Sequence, residues 1–231
     1  MAECRARLSV VAGPIGNLAD LSQRASQVLR EADCWFVEDT RVTSRLQAHI
    51  QCKIPMRILN EHTSSERILA YATEIETGLR AALLTDAGSP GISDPGSLLV
   101  DACLEAGVEI DPIPGPSAVT TALMASGFFA QRFAFLGFLP RKAGAIRAEL
   151  GPFAESPATI VLFESPFRVD ALSKVLFEVL GSRRVAFCRE LTKVHQQICR
   201  VNLPYVPDEA KMPRKGEFTI VVEGRRKNVV K

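Results

Sequence analysis

The amino-acid sequence predicts an α/β protein of two α/β domains, a parallel-sheet N-terminal domain over 1–113 and a mixed-sheet C-terminal domain over 114–231. Three observations predict it. In the first half, short runs of near-continuous apolar residues alternate with segments whose apolar residues recur at helical spacing, the pattern of a parallel sheet covered on both faces. At PIPGPSAV (112–119) two proline-flanked turns interrupt that rhythm and mark a boundary. Beyond them, several strand-like runs are placed where hairpin pairing is possible, which predicts a mixed sheet.

The elements follow in order. LSVVA (8–12) is a buried strand ended by Gly13-Pro14, and Leu21, Ala25, Val28, Leu29 and Ala32 repeat as one helix face. CWFVE (34–38) and RIL (57–59) are the next strands. Thr63 and Glu66 have capping-box spacing ahead of Ile68, Leu69, Ala72 and Ile75, with Gly78 as the stop. AALLT (81–85) is a strand; Leu98, Leu99, Ala102, Cys103 and Ala106 form a helix face closed by Gly107; VEIDPI (108–113) is the fifth strand. The second half opens with a small-residue helix, SAVTTALMAS (117–126). FAFLGF (133–138), ATIVLFE (158–164), RVAFC (184–188) and EFTIVVE (217–223) are strands, and Val169, Leu172, Val175, Leu176 and Val179 make a helix ending at Gly181.

Composition narrows the function classes. Hydrophobic residues make up 47% and charged residues 23%, as in soluble globular proteins, and 231 residues can bury a real core. The net charge of +2 creates no global field for nucleic acid. Local clusters exist at Arg141, Lys142 and Arg147, at Arg183 and Arg184, and at Arg225, Arg226 and Lys227; each alone reads as solvated surface charge. No stretch is long enough for a signal peptide or a membrane span, so no membrane association and a cytoplasmic location are expected. Cys4, Cys34, Cys52, Cys103, Cys188 and Cys199 are scattered without a CxxC pair, which suits reduced thiols. His49, His62 and His195 lie far apart with no ligand spacing, so no metal site is expected.

The chemistry-bearing segments fall at strand exits. GPIGN (13–17) follows the first strand, EDTR (38–41) the second, DAGSPGISDPG (86–96) the fourth and PGPSA (114–118) the fifth; ESP (164–166) and RELTK (189–193) come later. Singly they read as a turn, a charged loop or a capped helix start. Together they occupy the edge where open α/β sheets bind ligands, and should line one cleft. In TDAGSPGISDPG, glycines admit close backbone approach and prolines fix the loop before a ligand arrives. Asp86 or Asp94 could accept hydrogen bonds from ribose hydroxyls or balance a positive ligand. Neither GxxxxGK[ST] nor G-x-G-x-x-G after the first strand is present. A cofactor without phosphates, such as S-adenosyl-L-methionine, explains both absences.

GPIGNLADLSQRA (13–25), EDTRVTSRL (38–46), LLTDAGSPGISDPG (83–96), PIPGPSAVTTALMASG (112–127), GFLPRK (137–142), FESPFR (163–168), RELTK (189–193) and KGEFTIVV (215–222) together resemble the tetrapyrrole methylase superfamily. More narrowly, they resemble its ribosomal branch, the small-subunit (16S) ribosomal RNA cytidine-2′-O-methyltransferases. Tetrapyrrole-pathway relatives carry a G-x-G-x-G-D first loop where this chain has GPIGN. The sequence departs from the branch at Phe167, usually His, at Gln196 and Gln197, usually one or two Glu, and at Thr63, often Asn.

The resemblance implies two α/β domains with S-adenosylmethionine in the cleft between them, a homodimer, and a methyl group transferred to the ribose 2′-oxygen of a cytidine in the decoding region of the small ribosomal subunit. It implies cofactor contacts from Pro14, Gly16, Asp86, Ala87, Gly88, Ile92, Ser93, Asp94, Ser117, Ala118, Phe163 and Glu164. Lys193, Arg41, Glu38 and Asp39 are the candidate catalytic residues. Arg41 and Lys193 rank first as RNA or oxyanion contacts and second as bases, Lys193 needing a depressed pKa for the latter. An Asp39–Arg41 structural ion pair is an equal reading. Two rivals remain open, a superfamily enzyme acting on a tetrapyrrole or another small molecule, and a non-enzymatic ribosome-binding protein.

Overall fold

The computed structural model describes residues 6–226, which divide into two compact units between Ser117 and Ala118. Cys4 and Lys227 lie outside the described residues.

The first unit is a five-stranded, wholly parallel sheet. Its strands are β1 (Arg7–Val11), β2 (Cys34–Val37), β3 (Met56–Ile58), β4 (Ala81–Leu83) and β5 (Glu109–Ile113), in the order β3-β2-β4-β1-β5. The helices are α1 (Gln23–Glu31), α2 (Thr40–His49), α3 (Ser65–Glu76) and α4 (Gly96–Glu105). Because strand side chains alternate between faces, each strand feeds two cores. Phe36, Ala81 and Leu83 point into one core with Ile68, Ile75, Leu99 and Cys103 of α3 and α4. Trp35, Val37, Ala82 and Leu84 point into the other with Ala25, Leu29 and Leu46 of α1 and α2. The Trp35 indole N–H donates to the Leu29 carbonyl at 2.9 Å, so its one polar atom is satisfied inside that core.

Three local expectations change. The N-cap of α3 is Ser64, whose hydroxyl accepts from the Arg67 N–H, whereas the Thr63 hydroxyl accepts from the Asn60 N–H and closes the preceding turn. In α4 the buried stripe runs through Gly96, Leu99 and Cys103, and Leu98 is 54% exposed. EDTR does not form a simple charged loop: Asp39 caps α2, accepting from the Arg41 N–H at 2.8 Å.

The second unit holds α5 (Ala118–Ser126), β6 (Phe133–Phe138), α6 (Ala143–Leu150), β7 (Thr159–Glu164), α7 (Val169–Leu180), β8 (Arg184–Arg189), β9 (Gln197–Asn202) and β10 (Phe218–Val222). Its sheet runs β6-β7-β10-β8-β9; β6 and β7 are parallel and the other pairs antiparallel, giving a mixed sheet. α6 and α7 pack one core against it through Ile146, Leu150, Leu172 and Leu176, together with Ile160, Leu162, Phe187 and Ile220. The small side chains of α5 let that helix pack against β7, β8, β9 and β10.

Candidate functional site

In the first unit the exits of β1, β2, β4 and β5 are bonded to one another. The Gly13 N–H donates to the Gly88 carbonyl at 2.8 Å, joining the first and fourth exits. The Ser89 hydroxyl lies 3.4 Å from the Pro116 carbonyl, joining the fourth and fifth. The Asp39 N–H donates to Asp86 Oδ1 at 3.2 Å, and the Thr85 hydroxyl donates to Glu38, joining the second and fourth. A Cβ on Gly115 would stand 2.9 Å from the Ala12 carbonyl oxygen, so the β5 exit lies against the β1 exit at glycine distance.

The long loop after β4 is braced by its own aspartate. The Asp94 carboxylate accepts from the N–H groups of Gly91, Ile92 and Gly96 at 3.0, 3.0 and 2.8 Å. Gly88, Gly91 and Ser93 all take left-handed φ, 85°, 84° and 66°. Asp94 is thus engaged by backbone, which leaves Asp86 and Glu38 as the carboxylates best placed for a ligand. Burial pushes Glu38 above the ordinary carboxylate range, the Thr85 hydroxyl offsetting part of this and the Asp86 charge adding to it. Burial also raises Asp86, opposed by the Asp39 N–H and reinforced by the Asp39 charge. Asp39 behaves oppositely: hydrogen bonds from the Arg41 side chain and backbone hold it down at about 2. Arg41 grips both oxygens of Asp39 while remaining 89% exposed. The structural ion pair is therefore present. Pro14 is half-buried; Gly16, Ala87 and Ile92 are exposed at the same edge, and Ser117 follows Pro116 at the last exit.

In the second unit, Phe163 and Glu164 end β7, and Lys193 lies in the loop after β8. Both exits flank β10, since Phe218 pairs with Glu164 on one side and with Arg189 on the other. Glu164 is 2% exposed. Its Oε1 accepts from the Ser165 N–H at 2.7 Å and stands 3.4 Å from Arg168 Nε, but Oε2 is buried with no hydrogen-bond partner among the described residues. Burial raises its pKa, with the Ser165 N–H and the Arg168 charge pulling down. Phe163 stacks edge-on against Phe135, ring centroids 4.9 Å apart, so part of its role is packing. Ala118 is the first residue of α5.

Lys193 is held by Glu190 and Glu217, each 2.9 Å from Nζ. Burial would pull the ammonium down, but the two carboxylates outweigh it and hold its pKa above the ordinary value. A lysine base requires a depressed pKa, so the two carboxylates favour the cationic reading of Lys193 over the base one. Sequence reading passed over Glu217, Thr85 and Arg168. Only the apposition of β8 with β10 brings Glu217 to Lys193, and no spacing signals it. No group of His, Cys, Asp and Glu able to hold a metal ion exists among the described residues.

A ligand must replace what these groups lack. The Gly88–Gly91 backbone leaves room on one side, since a Cβ on Gly91 would meet nothing within 4 Å, and Glu38 and Asp86 offer acceptors. The unpartnered Glu164 Oε2 needs a donor. Within each unit taken by itself, these acceptors suit the hydroxyl or amino donors of a polar ligand.

Residues 7–207 match the family described as Tetrapyrrole (Corrin/Porphyrin) Methylases. The chain belongs to the tetrapyrrole methylases. Among relatives of this tetrapyrrole methylase, proteins named Ribosomal RNA small subunit methyltransferase I are 42% identical in Mycobacterium tuberculosis, over 94% of this chain and 78% of that one. The protein of that name in Thermotoga maritima is 41% identical over 95% of this chain and 99% of its own length. The fold is shared with a cobalt precorrin-4 methyltransferase of cobalamin biosynthesis, with TM-score 0.63, 16% identity, and 94% and 95% of the two chains covered. It is also shared with the Thermus thermophilus uroporphyrin-III C-methyltransferase complexed with S-adenyl homocysteine, with TM-score 0.63, 22% identity, and 93% and 96% covered. By family and fold the tetrapyrrole methylase described here is a methyltransferase.

Proposed function

We propose that this protein transfers a methyl group from S-adenosylmethionine to the ribose 2′-oxygen of a cytidine in the decoding region of small-subunit ribosomal RNA. One observation carries the reading: the chain is about 40% identical, over almost its whole length, to relatives named for small-subunit ribosomal RNA. The relatives named for tetrapyrroles share the fold at 16–22%.

When bound, the cofactor supplies an electrophilic methyl group on a sulfonium. On this reading Gly88 and Ala87 let the nucleoside lie against backbone, Asp86 accepts from its hydroxyls, and Glu164 accepts from a donor beside Phe163. Pro14, Gly16, Ile92 and Ser93 shape the surrounding surface, and the N-terminal turn of α5 at Ser117 and Ala118 suits the cofactor carboxylate. Positioning supplies much of the rate. The ribose hydroxyl must lose its proton, and Glu38, raised by burial, is better suited to accept it than Asp39, which Arg41 holds ionised. Lys193 stays cationic and stabilises the developing oxyanion or a neighbouring phosphate. Exposed Arg41 is a phosphate contact. The protein acts in the cytoplasm as a homodimer; leucines Leu69 and Leu98, exposed on the neighbouring helices α3 and α4, suit a subunit contact.

The deciding experiment incubates the protein and radiolabelled S-adenosylmethionine with small subunits from cells lacking it, then maps the label. Label on one cytidine ribose supports the proposal. No label in RNA, with label incorporated when a tetrapyrrole precursor replaces the subunits in a parallel reaction or in neither reaction, refutes it.

A further inference from the structure

The sequence holds three basic clusters, and the structure separates them by what already neutralises them. Arg147 is ion-paired with Glu178 at 2.7 Å. Arg183 is buried and donates to the carbonyls of Leu180, Phe153 and Ala154. Arg184 and Arg226 both pair with Glu223, and Arg225 pairs with Glu155. Arg141 and Lys142 differ: both are exposed and neither has an ion-pair partner among the described residues. A phosphate meets no competing carboxylate at these two cations.

The segments that meet at Leu139 and Pro140, which lead into these cations, carry exposed aromatic rings. Phe138, the last residue of β6, is 61% exposed, and Phe167, after the end of β7, is 86% exposed. Large apolar rings gain by leaving water, so such exposure is informative when it is clustered. The two segments are fastened together. Phe138 pairs in register with Phe163, their rings 5.6 Å apart, and the Arg168 guanidinium donates to the Leu139 and Pro140 carbonyls at 3.1 and 2.7 Å. Phe138, Arg141, Lys142 and Phe167 therefore belong to one edge of the second unit's sheet, and its rigid frame is the β6–β7 pair.

We infer that this edge is a docking platform for unpaired RNA, with Phe138 and Phe167 stacking on bases and Arg141 and Lys142 holding the adjoining phosphates. Rings beside uncompensated cations match the two faces of a single strand, the flat base and the charged backbone. A duplex hides its base faces, so the platform discriminates against it. The inference rests on the ribosomal RNA reading and specifies where the substrate strand lies.

The test measures binding of a fluorescein-labelled single-stranded RNA oligonucleotide to the full-length protein by anisotropy, with the matching duplex alongside. Phe138→Ala and Phe167→Ala each weaken single-strand binding about tenfold, while Phe167→Tyr retains it. Arg141→Ala with Lys142→Ala flattens the plot of log affinity against log salt by roughly 0.7 for each phosphate no longer held. Titration with S-adenosylmethionine is unchanged in all four variants, which shows that they are folded. Equal binding of single strand by wild type and both Ala variants overturns the platform. So does a change of oligomeric state in sedimentation with RNA affinity unaltered, which would assign the rings to a protein contact. Loss of RNA binding in the variants, with no methylation of subunits by wild type, would uphold the platform and refute the proposed activity.

Discussion

Gly88 and Gly91 have nearly the same torsion, φ 85° and 84°, in the same loop, but different surroundings. A Cβ on Gly91 meets nothing within 4 Å, whereas one on Gly88 meets Ile15 Cγ2 at 3.2 Å and the Pro116 carbonyl oxygen at 3.6 Å. Gly91→Ala therefore incurs only the left-handed backbone penalty, roughly 1–2 kcal/mol. Gly88→Ala incurs that penalty and a steric one, because Ile15 is buried and must move; overpacking of this kind costs about 1–3 kcal/mol more. The entropy that alanine removes from the unfolded chain is the same at both positions and cancels in the comparison. Trp35, the only tryptophan, is fully buried in the first unit, so its fluorescence during urea unfolding reports the unit that carries both glycines. The expected result is a larger midpoint shift for Gly88→Ala, with S-adenosylmethionine affinity falling in that variant most. Equal shifts for the two variants would refute the claim that the β1 and β4 exits are packed to glycine tolerance.

Three further outcomes are expected. Asp94→Ala removes the acceptor for three backbone N–H groups of the loop, about 3 kcal/mol at roughly 1 kcal/mol per missing bond, so the urea midpoint of the first unit falls and S-adenosylmethionine affinity drops by about tenfold or more; urea unfolding and calorimetry check the pair. Lys193 has a native pKa above its ordinary value of 10.5, so its stabilising contribution is complete below that value and is lost as pH rises through the native pKa. Glu190 has a native pKa below 4.5, so its contribution is present above that value and is lost as pH falls through the native one. Lys193→Gln should therefore lower stability between these limits and reduce its fall at both extremes, and the wild-type rate profile should show no Lys193 limb between about pH 7 and 9. Burial pushes the thiols of Cys103 and Cys188 up to about 11 and about 12. In the folded protein at about pH 8, alkylation followed by mass spectrometry should label Cys52 and Cys199 before either.

Much of the architecture was legible because buried strands and capped helices leave strong marks. FAFLGF reads as β6 over the residues that form it, and Gly181 stops α7 with φ 73°. Three elements left weak marks. α2 buries Thr43, Leu46 and Gln47, two of them polar, so its apolar period is faint behind the charged EDTR. α6 buries only Ile146 and Leu150. β9, QICRVN, alternates between half-buried and exposed residues at a sheet edge, with polar side chains on both faces. At the candidate site the strand exits were visible as glycine, proline and acidic clusters. The division of work among the acids was only partly visible: the Asp39–Arg41 pair was one of two open readings and is present, whereas the bracing of the loop by Asp94 depends on backbone geometry that no spacing announces. The pairing of Lys193 with Glu217 needs two distant strands to meet, which no local pattern announces.

The position of β10 sets a schedule for biosynthesis. This strand lies in the middle of the second sheet, between β7 and β8, yet it is made last of the five. The first unit has all its strands once residue 113 has left the ribosome, and can close while translation continues. The second must wait with β7 and β8 unjoined until residue 222 appears. During that interval two apolar strand edges stand open, so a chain terminated before residue 218 should carry a folded first unit joined to an aggregation-prone second.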